Sequence, residues 1–122
     1  MDDTPAYRSC QPGLLLDAVD GDATIFRELA ALLFRETMNR FDDIDRYSGA
    51  GSFREMGEEA HSLKGTAGTV GADGLMQLLQ QIEHAGLVQG RGCSPQQLAG
   101  LNALLRDVRD DLHSFLASLP AG

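Results

Sequence analysis

The sequence predicts an all-α protein: an antiparallel four-helix bundle with a short additional helix at its N-terminal end. Leucine and alanine, which both favour helix, dominate the apolar residues, and the chain has no tryptophan. Apolar residues also recur at steps of three and four along four segments, while no segment has the pattern of a strand. Four amphipathic helices joined by short connections favour an antiparallel bundle.

The chain has 122 residues, which is enough for one domain. Residues 1–12 contain two prolines and no apolar periodicity, so we predict a flexible N-terminal tail there and the bundle domain over 13–119. The start of the chain lacks the basic and apolar regions of a signal peptide. The longest apolar run, Leu29 to Phe34, is too short to span a membrane. We therefore expect a soluble, cytoplasmic protein.

The first helix is predicted over Leu14 to Val19, and Asp22 is placed to cap the second helix by accepting from its first free amides. The second helix should run to about Tyr47, before a glycine-rich break. Its predicted buried stripe consists of Phe26, Ala30, Leu33, Thr37, Phe41 and Ile44.

The third helix is predicted to open at Ser52, with Glu55 three residues later completing a capping box, and to end at Gly71. The fourth begins at Asp73, and residues 86–92 are predicted to form a loop. A second capping box, formed by Ser94 and Gln97, opens the last helix. The predicted inward positions of these helices are Phe53, Met56, Ala60, Leu63, Ala67 and Val70; Leu75, Leu78, Leu79 and Ile82; and Leu98, Leu101, Leu105, Val108, Leu112, Phe115 and Leu119.

The formal net charge is −8 and the pI about 4.6. Nucleic acids and anionic membranes call for clustered Lys and Arg, so this balance argues against both as partners. Cys10 and Cys93 lie far apart in the chain, in no metal-ligand spacing. Reduced thiols are the simpler interpretation, and a single disulfide remains the alternative.

His61 stands out on the third helix. It points about 130° away from the apolar stripe, and Gly57, Gly65 and Gly68 lie within about 40° of the same direction. Each glycine in a helix costs about 1 kcal/mol relative to alanine, so a requirement other than helix stability explains them. We predict that bare backbone around His61 lets the active site of another protein close over it.

Lys64 follows His61 by one turn and lies about 60° to one side. A neutral imidazole is a nucleophile at one ring nitrogen while the other holds a proton. A phosphoryl group on that ring would carry dense negative charge, which an ammonium could offset. His61 and Lys64 together are therefore suited to a reaction in which His61 attacks an anionic group and Lys64 stabilises its charge.

A longer stretch around this site follows a family pattern. Its residues are His61-Ser62-Leu63-Lys64-Gly65-Thr66-Ala67, then Val70-Gly71-Ala72, Leu75, Leu78 and Ile82-Glu83. This stretch resembles the signature of histidine-containing phosphotransfer (Hpt) domains.

The resemblance implies that His61 is phosphorylated on its outer ring nitrogen by the aspartyl phosphate of a receiver domain, and that Lys64 and Gly65 support the site. Glu83, 22 residues beyond the histidine, occupies a position where a Gln or Glu commonly accepts from the inner ring nitrogen. Thr66 either helps to shape this pocket or is a small residue needed for packing.

The same resemblance implies a phosphorelay intermediate that takes a phosphoryl group from one receiver domain and passes it to another. The expected partners are receiver domains of hybrid histidine kinases and of response regulators, and the expected state is a monomer. The sequence has no nucleotide-binding glycine loop, so we expect no ATP-dependent kinase activity. We also expect no cofactor on this chain, with the Mg²⁺ for transfer on the receiver.

Two alternatives remain open at this stage. Glu58-x-x-His61 has the spacing of carboxylate-bridged metal sites in four-helix bundles, but these need a second inward pair, for which Asp110-x-x-His113 is the nearest. Because His61 points away from its own core stripe, we expect no metal site. The other alternative is a helical adaptor that docks partners without transferring phosphate. His84 and His113 have no comparable setting and are expected at the surface or its boundary.

Overall fold

The structure is a computed structural model that describes residues 9–119. Within that range it contains five helices and no strand, so the predicted all-α class is confirmed. The helices are α1 (Pro12–Ala18), α2 (Ala23–Gly49), α3 (Phe53–Thr69), α4 (Asp73–Leu87) and α5 (Pro95–Ser118).

The four long helices form a ring around one core. α2 packs on α3, α3 on α4, α4 on α5 and α5 back on α2, while α1 lies against α2 and α5. Contacts between α2 and α5 show that the two run antiparallel. The Phe26 and Phe115 rings lie 5.4 Å apart, and the Arg109 guanidinium lies 5.5 Å from the Phe34 ring. The predicted four-helix bundle with a short leading helix is therefore confirmed.

The predicted stripes form most of this core. The buried members are Phe26, Ala30 and Ile44 of α2; Met56, Ala60, Leu63 and Ala67 of α3, with Val70 directly after it; Leu75, Leu79 and Ile82 of α4; and Leu101, Leu105, Val108 and Leu112 of α5. Leu33, Thr37 and Phe41 are half-buried. Since Ala60 and Leu63 are fully buried on either side of it, His61 must face outward. None of the described helices has the length and apolar character needed to cross a membrane.

Two of the three predicted helix caps are confirmed. The Asp22 carboxylate accepts from the amides of Thr24 and Ile25 at 2.9 and 3.1 Å, and Ser94 and Gln97 form the predicted capping box.

The predicted cap at Ser52 is wrong, because its side chain makes no capping hydrogen bond. Its amide instead donates to the Tyr47 carbonyl at 2.9 Å, in the turn that follows α2. The backbone of Ser52 consequently has a ψ of 64° rather than the extended value that aims a capping hydroxyl.

The last residues of the predicted tail lie on the bundle. Residues 1–8 lie outside the described part of the chain, but residues 9–12 pack on the bundle. The Ser9 amide donates to the Asp111 carboxylate at 2.8 Å, and the Gln11 amide donates to the Val70 carbonyl at 2.7 Å. Cys10, only 4% exposed, fills the end of the core between these bonds, and α1 begins at Pro12. An apolar cysteine between two anchored amides explains why this segment is ordered.

Cys10 and Cys93 are free thiols, as the simpler interpretation expected. Burial, with the nearby charge of Asp111, raises the pKa of Cys10 to about 12. Burial and the charge of Asp45 raise the pKa of Cys93 to about 11. Both groups therefore stay protonated at neutral pH and behave as small apolar residues.

Candidate functional site

His61 lies in the middle of α3 with 66% of its side chain exposed. Its Nδ1 atom is 2.9 Å from Oε2 of Glu83 on the neighbouring helix α4. The contact fixes the orientation of the ring because it joins two helices whose positions are set by the core. The sequence-predicted pairing of His61 with Glu83 is thus present in the structure.

Glu83 is the centre of the site, because both oxygens of its carboxylate are engaged. Oε2 faces His61, and Oε1 accepts from the Lys64 ammonium at 2.6 Å. The hydrogen bond from Lys64 is the largest influence on the pKa of the Glu83 carboxyl, and with that from His61 it lowers the pKa in spite of partial burial. The carboxylate is therefore ionised at neutral pH.

The charge state of Glu83 determines where the proton on the His61 ring lies. An ionised carboxylate can only accept hydrogen bonds, so Nδ1 of His61 must be the donor. In the neutral imidazole, the lone pair is then on Nε2, the outer ring nitrogen. The arrangement produces an exposed nucleophile with a fixed tautomer.

The Lys64 ammonium is fixed by two hydrogen bonds to α4, of which the sequence gives no sign. Its Nζ donates to Glu83 and also to Oε1 of Gln80 at 2.7 Å, and 24% of its side chain is exposed. It is the only lysine in the chain, whose other nine basic residues are arginines. The single lysine ammonium of the protein therefore lies beside the nucleophile.

Gln80 is a site residue that the sequence analysis missed. α3 and α4 run antiparallel, so the residue three positions after His61 meets the residue three positions before Glu83. That reciprocal spacing identifies Gln80 once the two helices are paired, although no motif marks it.

The glycines on the His61 face fall into two groups. Gly65 is exposed, and a Cβ atom added to it would meet nothing within 4 Å. Gly68 is also exposed, and its added Cβ would touch only the end of the Met76 side chain, at 3.7 Å. The backbone is therefore bare and open on the side of His61 toward the C-terminal end of α3.

The prediction for Gly57 is wrong, because this residue is buried. A Cβ atom added to it would lie 2.8 Å from Cγ of Leu87, and the backbone of α4 approaches it at Gly86. The predicted start of the loop at Gly86 is also wrong, because α4 continues to Leu87. Gly57 and Gly86 allow two helix backbones to come close, which is a packing requirement and not an opening for a partner.

Comparison with protein families identifies the chain. Its sequence matches the Hpt domain family over residues 28–111, which covers α3, α4 and most of α2 and α5. The chain belongs to the Hpt domain family. Searches of curated proteins and of solved structures returned no significant match.

Hpt domains are phosphocarrier modules with a histidine phosphotransfer role in phosphorelays, and they interact with receiver domains of two-component systems. Membership confirms the resemblance described above at that level of detail. The roles of the individual site residues stay predictions.

In this Hpt domain, Thr66 lies away from the His61–Glu83 pair. It borders a small apolar cavity of about 30 Å³ between α2, α3 and α5, where its neighbours include Leu33, Val108 and Leu112. Its hydroxyl is 3.5 Å from the Ser62 carbonyl of its own helix. Of its two interpretations, these contacts favour packing.

The metal-site alternative does not fit the geometry. Glu58 is 58% exposed and pairs with Arg54 at 3.1 Å, and His61 also faces outward. Across residues 9–119, no three His, Cys, Asp or Glu side chains come together as a metal would require. His84 and His113 are exposed, which agrees with the expected surface positions.

Proposed function

We propose that this Hpt domain is a phosphorelay intermediate that accepts a phosphoryl group on Nε2 of His61 from the aspartyl phosphate of one receiver domain and passes it to another. One observation carries the proposal: Glu83 engages Nδ1 at 2.9 Å while the rest of the ring is exposed. The outer nitrogen is thereby left as the nucleophile.

The transfer is an in-line displacement. The Nε2 lone pair forms a bond to phosphorus as the bond from phosphorus to the aspartyl oxygen breaks, and the aspartate leaves as a carboxylate. The ring keeps its proton on Nδ1 and becomes positively charged. Glu83 stabilises this charge because its carboxylate already accepts from Nδ1. The same steps in reverse pass the group to the second receiver.

Lys64 offsets the negative charge of the moving phosphoryl group. The chain as a whole repels anions, since its formal net charge is −8. A local cation is therefore needed beside His61, and Lys64 supplies it. Two of its three ammonium N–H groups donate to Glu83 and Gln80, which leaves the third for a phosphoryl oxygen.

The partner approaches over Gly65 and Gly68. No side chain rises from these two positions, so the rim of a receiver active site can pass close to the α3 backbone. Gly57 takes no part in this surface because Leu87 covers it.

We also propose the partners, the compartment and the oligomeric state in which this transfer takes place. The partners are receiver domains of hybrid histidine kinases and of response regulators, and transfer takes place in the cytoplasm, with this chain acting as a monomer. The Mg²⁺ ion belongs to the receiver, and the chain phosphorylates nothing at the expense of ATP. The acidic surface favours these partners over nucleic acids and anionic membranes.

The proposal is tested by incubating the protein with a panel of receivers phosphorylated on aspartate and measuring acid-labile phosphate on this chain. Wild type should be labelled by at least one receiver, and His61→Gln should not be labelled at all. His113→Gln is a matched control that should label like wild type, since His113 is exposed on α5, away from the α3–α4 pair that holds His61. Binding of receivers without any labelling of wild type would instead indicate an adaptor.

A further inference from the structure

The contacts of Lys64 point to a further residue that the phosphotransfer reaction depends on. Lysine has a long, flexible side chain that loses much rotamer freedom when it is fixed. Its ammonium lies 2.6 Å from Oε1 of Glu83 and 2.7 Å from Oε1 of Gln80. Two acceptors on successive turns of α4 therefore hold it in one place.

The two acceptors differ in charge, and this difference matters. Glu83 carries a full negative charge that it also directs to His61. Gln80 is neutral, so it fixes the ammonium without cancelling any of its positive charge. A second carboxylate at this position would hold Lys64 equally well, but together with Glu83 it would make the cluster net negative and would repel an incoming phosphoryl group.

The remaining donor of Lys64 has a defined direction as a result. An ammonium has three N–H groups in a tetrahedral arrangement. When two of them are directed at Gln80 and Glu83, the third is directed away from α4. With Glu83 alone, the ammonium could turn about a single hydrogen bond, and its third donor would have no fixed direction.

We propose that Gln80 is a positioning residue that holds the Lys64 ammonium in the orientation in which it meets the phosphoryl group. This inference rests on the proposed phosphotransfer at His61. The side chain of Gln80 bonds to Lys64 and not to the His61 ring, so Gln80 acts through Lys64.

The test compares Gln80→Met with Gln81→Met. Methionine keeps the length of glutamine and removes the carbonyl acceptor. Gln81, the next residue of α4, is exposed, and its side chain makes no hydrogen bond to any residue between 9 and 119. Transfer from a phosphorylated receiver is measured over a range of receiver concentrations.

Gln80→Met should lower the maximal transfer rate about three- to tenfold, the effect of one ordinary solvent-exposed hydrogen bond, with little change in the receiver concentration that gives half-maximal rate. Gln81→Met should transfer like wild type. In a Lys64→Met background, adding Gln80→Met should have no further effect, because Gln80 acts only through Lys64.

An NMR measurement on the isolated protein tests the contact between Gln80 and Lys64 directly. Lys64 is the only lysine, so its ammonium has a single side-chain proton–nitrogen NMR signal. That signal should be sharp in wild type and in Gln81→Met, and broadened or lost in Gln80→Met.

Three outcomes overturn the inference while leaving the proposed function intact. The first is that the Gln80→Met protein transfers at the wild-type rate. The second is that Gln80→Met slows transfer by the same factor in the presence and in the absence of Lys64. The third is that the Lys64 NMR signal of Gln80→Met is the same as that of wild type. Failure of wild-type labelling by every receiver would instead reject the proposed function, and the inference with it.

Discussion

The two sides of His61 along α3 have the same residue spacing and opposite surroundings. Four residues before it, Gly57 is buried beneath Leu87 and against the α4 backbone at Gly86. Four residues after it, Gly65 is open to solvent. The comparison teaches that spacing on one helix fixes the direction in which a residue points, but the neighbouring helix determines whether that direction is free.

The two sides have complementary tasks. On the closed side, the backbones of α3 and α4 converge, and this convergence brings Glu83 within 2.9 Å of His61. On the open side, an added Cβ would meet nothing within 4 Å at Gly65 and only the Met76 side chain at Gly68. Close packing on one side therefore sets the geometry of the nucleophile, and the absence of packing on the other leaves it accessible.

The largest effect is expected from Gly86→Ala on the closed side. The new Cβ would lie 3.0 Å from the Gly57 amide nitrogen and would overlap the Phe53 carbonyl oxygen. Backbone atoms cannot move aside cheaply, so the free energy of unfolding should fall by about 1–3 kcal/mol, measured by urea denaturation.

Gly57→Ala is the matched comparison for Gly86→Ala. Its Cβ would lie 2.8 Å from Cγ and 3.1 Å from the amide nitrogen of Leu87, which is a milder clash than the overlap at Gly86, and alanine also favours helix. Its cost should therefore be smaller. If Gly86→Ala is as stable as wild type, the backbones of α3 and α4 do not approach each other closely at Gly57 and Gly86.

The next effect concerns function on the open side. Gly65→Phe should slow phosphotransfer at least about tenfold, because a ring would stand where the receiver must pass, while the urea midpoint should remain near that of wild type. The same substitution at Ser114, an exposed residue of α5, serves as the control and should leave transfer unchanged. Normal transfer by Gly65→Phe would show that this face is not the approach route.

A smaller effect, opposite in sign to that of Gly86→Ala, is expected from Gly65→Ala. Nothing lies within 4 Å of the added methyl group, and alanine loses less conformational entropy than glycine in a helix. The free energy of unfolding should rise by about 0.5–1 kcal/mol. A loss of stability on urea denaturation would mean that this side is packed as well.

The smallest effect concerns pH. Because its contacts lower the pKa of the Glu83 carboxyl in the folded state, Glu83 contributes stability above the ordinary glutamate pKa, and this contribution is lost as the pH falls through the lowered value. The stability difference between wild type and Glu83→Gln should therefore shrink by about 0.5 kcal/mol between about pH 6 and about pH 3. Gln80→Met removes no titratable group, so the stability difference between wild type and Gln80→Met should not change with pH. If the stability differences of both variants changed equally with pH, Glu83 would not be the group that titrates.

Features set by residues close together in sequence could be predicted well. The caps at Asp22 and Ser94 need only the residues that follow them, and the buried stripes need only helical periodicity. The outward direction of His61 follows from the same periodicity. Predicting that Glu83 is the partner of His61 required the family resemblance, because the two residues lie on different helices.

Features set by contacts between distant segments could not be predicted. Ser52 is a suitable capping residue, but the turn from α2 determines its backbone conformation. Cys10 lies in a stretch without periodicity and is ordered by Asp111 and Val70. Gln80 becomes a site residue only when α3 and α4 are paired in register.

The central claim, that His61 acts through its outer nitrogen, has one direct test. The domain is phosphorylated by a receiver, and long-range proton–nitrogen correlation NMR identifies which ring nitrogen carries the phosphoryl group. We predict phosphorylation on Nε2 of His61, with the proton retained on Nδ1 and hydrogen-bonded to Glu83. A phosphoryl group on Nδ1 of His61, or on any other residue, would contradict the account.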